Sequence, residues 1–298
     1  MKKMRIPLII AWGVAVLGIV FGSFFDFQIS SAIASADNAF ALTLSAIIPT
    51  LGFAGVAVMG GGFIALAIHG KYHIVLKILF YVLAACCLGV SIYYPGGEYF
   101  GVNGFYGAAP KFIGYLIVII PEVAAMVGGY FLFRNCQNEK MWIVFVIIVG
   151  LLLLVLLLII PTIKDNMRRP RYRILAAYND IQFHNWWEPC KDYKEIMQAH
   201  GIESSDHFKS FPSGHTAEAS ILLVVSTFFP MASEKLRKIQ LPVFIGSCFI
   251  VLVVALARIM AAAHFLSDVS WGAGITLTVL VIANEVVMRI KALQPKEE

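Results

Sequence analysis

MWIVFVIIVGLLLLVLLLIIPTI, residues 141–163, carries no charged side chain over its whole length. About 20 apolar residues at roughly 1.5 Å rise each cross a hydrocarbon core of about 30 Å, so this stretch reads as a transmembrane helix. Comparable runs occupy 6–25, 41–68, 73–94, 112–133, 214–230, 241–260 and 268–288, about eight spans in all. Of the 298 residues 59% are hydrophobic and 14% charged, and the mean hydropathy of +0.81 lies outside the range of soluble domains. The expected fold is all-α, a polytopic transmembrane helix bundle, because helices satisfy their own backbone in lipid.

Working outward, the connectors 69–72, 134–140 and 231–240 carry Lys71, Arg134, Lys140, Lys235, Arg237 and Lys238. The ends of the chain add Lys2, Lys3, Arg5, Arg289, Lys291 and Lys296. The positive-inside rule places all of these, and both termini, in the cytoplasm. Residues 26–40, 95–111, 164–213 and the 258–268 turn are then extracytoplasmic. The first segment also has features of a signal peptide, with Ala34-Ser35-Ala36 as the cleavage site, but its apolar run is long for that and it is read as a retained span. The lysine-rich start and the lack of eukaryotic processing signals point to a bacterial plasma membrane.

The net charge of +5 sits in short clusters between apolar segments, which argues for topology signals and against nucleic acid binding. Cys86, Cys87 and Cys248 fall in apolar segments, Cys136 in an inner connector and Cys190 alone outside, so no disulfide framework or CxxC metal pattern is expected. The chain divides into N-terminal spans, 1–140, and a catalytic half, 141–298, containing the long polar stretch 164–213. Short helices are expected in that stretch. Its Phe183, Trp186, Trp187 and Tyr193 fit either an interfacial aromatic belt or a lid over a site.

Three clusters carry chemistry. Lys164-Asp165-Asn166-Met167-Arg168-Arg169-Pro170-Arg171-Tyr172-Arg173 breaks the rule that outer loops are poor in cations. Its guanidinium groups suit a bound phosphate, and lipid headgroup binding or helix termination is the plainer alternative. Phe211-Pro212-Ser213-Gly214-His215 stands where a polar loop meets an apolar run, so unpaired amides of a helix start come together with His215, which suits a proton donor, a structural histidine at the membrane boundary being the plainer alternative. In ALARIMAAAHFLSDVSWGAG, His264 and Asp268 are four residues apart, on one face if helical, with the carboxylate accepting from the imidazole. Arg258 lies about 120° away on a continuous helix, so either a bend near Ala261–Ala263 or the reach of the Arg side chain is needed to bring them together. No HExxH pattern occurs, and the expected reaction needs no metal or cofactor. Outside these clusters, Glu122 is expected to bond a neighbouring helix, and Gly60, Gly61 and Gly62 to allow close helix approach.

These residues resemble the type 2 phosphatidic acid phosphatase family, whose signatures are a Lys and Arg motif, PSGH, and Arg-x5-His-x3-Asp. Pro212-Ser213-Gly214-His215 and Arg258, His264 and Asp268 match the last two. In the first, Lys164 and Arg171 keep the six-residue gap, Tyr172 replaces the final Pro, and Arg169 is the fallback. The resemblance covers 164–274 and implies a six-helix core, extended here by about two spans. It further implies that His264 attacks phosphorus, Asp268 orients it, and His215 protonates the leaving oxygen and later activates water. Lys164, Arg171 and Arg258, with the Ser213 hydroxyl and the Gly214 N–H, would hold the phosphoryl oxygens. The substrate implied is a lipid phosphomonoester or polyprenyl pyrophosphate. Transfer to a lipid or sugar hydroxyl, and non-catalytic lipid-phosphate binding or transport, are the alternatives.

Overall fold

The computed structural model describes residues 2–100, 111–134, 139–228 and 237–290. Every regular element among them is helical: α1 (Lys2–Ile33), α2 (Ala39–His69), α3 (Ile74–Phe100), α4 (Lys111–Phe133), α5 (Glu139–Leu154), α6 (Ile160–Met167), α7 (Tyr172–Ala177), α8 (Tyr193–His200), α9 (Gly214–Ala219), α10 (Ile221–Phe228), α11 (Gln240–Met260) and α12 (Leu266–Arg289). A π turn, Val155–Ile159, joins α5 to α6, and a 3-10 turn spans Ser205–Phe208. Cys136, Lys235, Lys291, Lys296 and most of the predicted outer loop 95–111 lie outside the described residues.

Seven helical runs among the described residues are long and apolar enough to cross a membrane. They are α1, α2, α3, α4, the run from Trp142 in α5, α11 and α12. The protein is an integral membrane helix bundle. Apolar side chains such as Leu17, Phe24, Ile78, Ile147 and Phe249 are exposed on these helices, where water would be costly and lipid is not. The described part of the eighth expected segment, 214–228, divides at Ser220 into α9 and α10, and residues 229–230 lie outside the described residues. The Ser220 hydroxyl donates back to the Thr216 carbonyl at 2.7 Å, a bond that competes with the regular ladder. The first span also runs further than its apolar stretch predicts, continuing through Asp26 to Ile33.

The chain forms two compact units. One contains Leu151–Ser220, Cys248–Val287 and the chain up to Ser45, hence α1, α6–α9 and α12. Within it α1 lies along α12: Trp12 Nε1 donates to Thr278 Oγ1 at 3.0 Å, and Arg5 pairs with Glu285 at 2.8 Å. A Cβ on Gly22 would stand 2.6 Å from the Ser267 amide nitrogen, so that crossing requires glycine. The segment between α6 and α9 has its own apolar core of Ile174, Leu175, Ile181, Cys190, Phe208 and Phe265. Phe183 and Tyr193 pack against that core, and Trp186 packs on Phe211 and Trp271. Of the four aromatic residues singled out in this stretch, Trp187 is the exposed one.

The other unit contains Ala46–Gly150 and Ile221–Ser247, with α3, α4, α10 and most of α2 and α5. Gly61 and Gly129 bring α2 and α4 together: a Cβ on Gly61 would clash with the Met126 carbonyl, and one on Gly129 with that of Val58. Trp142 packs edge-on against Phe63 at 4.6 Å between centroids.

Candidate active site

Local chain geometry sets out the three clusters. Pro161 has no N–H to continue a regular ladder, and the π turn precedes it directly, with Ile160 N–H donating to Val155 O. α6 then runs to Met167 and ends on Arg168, which adopts a left-handed φ of 46° and donates its N–H to Lys164 O. Lys164 therefore stands on the last turn of a helix. Arg169 and Arg171 follow on extended chain, with Arg171 as the residue before α7.

Ser213 begins α9, its hydroxyl accepting from Thr216 N–H at 3.4 Å. Its own N–H donates to Asp268 O at 3.0 Å, which ties this helix start to the start of α12. Gly214 faces Lys164: the position of its absent Cβ is 3.6 Å from Lys164 Nζ. His215, next in α9, is half-buried.

α11 ends at Met260, and Ala262, with a left-handed φ of 53°, turns the chain before α12 starts at Leu266. Of the two ways of bringing Arg258 and His264 together, the chain uses the bend. Arg258 O accepts from both Ala263 N–H and His264 N–H at 3.2 Å, which closes the turn. His264 consequently lies on a turn and not on a helix face shared with Asp268.

That changes how the histidine is held. His264 Nδ1 donates to the backbone carbonyl of Ser210 at 2.6 Å, while the nearer Asp268 oxygen is 3.8 Å away, beyond hydrogen-bond reach. Asp268 caps α12 instead, accepting from Phe265 N–H at 2.9 Å and from Ser210 Oγ at 2.5 Å. Ser210 thus binds the imidazole through its carbonyl and the carboxylate through its hydroxyl. With Nδ1 donating to a carbonyl, the Nε2 of the neutral ring carries the lone pair. His264 is completely buried, and Nε2 has no hydrogen-bond partner among the described residues. Burial, with further contributions from Arg258, Arg171 and Lys164, holds His264 well below the usual histidine range despite the nearby Asp268. The ring is neutral, and the three cations expected around it lie within electrostatic range.

Arg169, the fallback phosphate ligand, faces elsewhere. It is fully buried; Nε donates to His184 O at 2.8 Å, Nη1 to Ser267 Oγ at 3.0 Å and Asp268 Oδ1 at 2.5 Å, and Nη2 to Asp26 Oδ2 at 2.9 Å. Its ring contacts are Phe265 at 4.3 Å and Phe183 at 5.3 Å. Arg169 is therefore a positioning residue, joining Asp268 to α1. Arg171 is buried as well and pairs at 2.9 Å with the exposed carboxylate of Asp206.

Asp26, Ser210 and Ser267 did not emerge from the sequence. Asp26 Oδ1 accepts from Ser267 N–H at 2.8 Å, and Oδ2 accepts from the Ser267 hydroxyl in addition to Arg169. An acid within the apolar run Phe24-Phe25-Asp26-Phe27 was the available signal. Cleavage of the first segment would remove this carboxylate from the network.

A family model described as the PAP2 superfamily matches residues 124–291, more than half of the chain. No curated protein and no solved structure matches it. The matched region holds all three clusters in the expected order, although Asp26 lies outside it. The chain belongs to the PAP2 superfamily, a family of phosphatases.

Proposed function

We propose that the protein hydrolyses a lipid phosphomonoester or polyprenyl pyrophosphate at the extracytoplasmic face, without a metal, through a phosphohistidine on His264. The observation that carries this reading is Nε2 of His264, an unpartnered lone pair on a buried, neutral ring whose other nitrogen is fixed by Ser210. Buried polar atoms are ordinarily paired, and an orphan in a cationic setting suits an electrophilic phosphorus.

In the first step Nε2 forms a bond to phosphorus while the bond to the leaving oxygen breaks, and His215 gives that oxygen a proton. In the second, His215 takes a proton from water, whose oxygen displaces His264 and releases inorganic phosphate. Lys164, Arg171 and Arg258 bind the phosphoryl oxygens, helped by the Ser213 hydroxyl and the Gly214 N–H. Each such donor contributes about 100- to 1000-fold in rate where charge develops in a water-poor site. Asp268 acts at a distance of 3.8 Å, offsetting positive charge on the imidazole as it is phosphorylated. The cationic inner connectors and termini favour a bacterial plasma membrane with this site outside.

The test is phosphate release by purified protein from a panel of lipid phosphates and pyrophosphates with EDTA present. Release is expected from wild type, with a preferred lipid, and none from His264→Ala or His215→Ala. Release by wild type only when a lipid or sugar alcohol is supplied would replace hydrolysis with transfer. Binding without turnover in all three proteins would overturn the enzymatic reading.

A further inference from the structure

We propose that His184, Cys190 and Asp192 form a zinc site with one open coordination position in the folded segment between α6 and α9. Their candidate ligand atoms, one imidazole nitrogen, Sγ and one carboxylate oxygen, all lie within 4.8 Å of one another. Around tetrahedral zinc, with bonds of about 2.0 to 2.3 Å, ligand atoms stand roughly 3.5 Å apart. The widest pair must therefore close by about 1 Å. Asp192 is exposed and free to swing, whereas Cys190 is buried and fixed, with Sγ already 3.5 Å from Asp192 Oδ1.

The donor set selects the ion. A thiolate and an imidazole favour zinc over magnesium or calcium, which take oxygen ligands. Water completes the fourth position on the exposed Asp192 side. On binding, the Cys190 S–H bond breaks, a sulfur–zinc bond forms and the proton passes to solvent.

The surrounding backbone gives the site its consequence. Cys190 N–H donates to Met167 O at 2.9 Å, and His184 O accepts from Arg169 Nε at 2.8 Å. A metal clamping residues 184–192 thereby fixes the carbonyl that orients Arg169, the residue that holds Asp268. None of the three ligands touches His264, so the zinc takes no part in the proposed reaction.

The test uses full-length protein without a histidine tag, in detergent, with folding verified by a cooperative thermal transition so that the outcome does not depend on the phosphatase reading. After zinc loading and dialysis, about one zinc per chain is expected in wild type, falling at least tenfold in Cys190→Ser and His184→Ala. Cobalt substitution should give a near-ultraviolet thiolate-to-metal band in wild type that Cys190→Ser lacks. Asp192→Asn, an exposed change that leaves the fold intact, should weaken zinc retention at least tenfold. Folded wild type that retains no zinc and shows no cobalt band would overturn the proposal. So would unchanged zinc content in Cys190→Ser.

Discussion

The two units bury charge in opposite ways. Around the site, Arg169, Asp26 and Asp268 are buried together, and each guanidinium nitrogen of Arg169 meets an oxygen. In the second unit, Glu122 is equally buried in α4, with no ion-pair partner among the described residues and the Ser91 hydroxyl of α3 as its polar neighbour. A charge-paired network costs desolvation but fixes geometry, and a buried acid without a cation has no such pairing to offset its burial. The first unit is thus built to position groups, and the second is held by apolar and glycine-mediated helix packing.

The sharpest way to break this comparison is to remove the shared cation. Arg169→Met strands two buried carboxylates and is expected to cost about 3–5 kcal/mol of stability, read as a large fall in Tm. Asp26→Asn leaves Arg169 its bonds to Asp268 and His184 and should cost less. Its rate should fall through kcat with KM little changed, since Asp26 acts on Asp268 through Arg169. Equal effects of Asp26→Asn and an exposed α1 substitution such as Leu17→Ala would show that α1 does not belong to the network.

A second expectation concerns pH. Burial holds His264 below the usual histidine range, so the folded protein binds this proton less readily than the unfolded chain, whose histidine titrates near 6.5. The stability associated with the neutral ring is present above about pH 6.5 and is lost as pH falls below it. Likewise, the acid limb of kcat/KM attributable to His264 should lie below pH 6.5. Arg171 lowers this group further, so Arg171→Met should move that limb to higher pH, though not to 6.5, because burial is the larger cause. A downward move would contradict the electrostatic account.

The smallest effect is expected in the other unit. Glu122→Leu removes a buried carboxyl that has no cation partner among the described residues, and stability should be unchanged within about 1 kcal/mol or should rise. Phosphate release should stay within about twofold. A large loss would mean that Glu122 makes a functional contact, and the contrast between the units would fail.

The sequence made the bundle legible because membrane thickness sets a length that apolar runs must meet. The alanine bend was legible as one of two options, since Arg258 and His264 meet either through a bend or through the reach of the Arg side chain. The four-residue spacing of His264 and Asp268 suits a shared helix face, and spacing alone cannot separate that from a turn followed by a helix start. The expected outer segment 26–40 takes in Asp26, whereas α1 continues through it to Ile33. Its partner Ser267 is 241 residues away, and a single chain carries no periodic signal for such a pairing. Arg169 and Arg171 were distinguishable only by what each faces, which depends on the left-handed turn at Arg168.

The central claim is tested most directly by quenching the reaction within one turnover, using substrate with radiolabelled phosphate, and mapping the label on the protein. The account predicts an acid-labile, base-stable phosphoprotein with phosphate on Nε2 of His264, and no label in His264→Ala. Label on another residue, or full turnover with no phosphoprotein at any quench time, would contradict it.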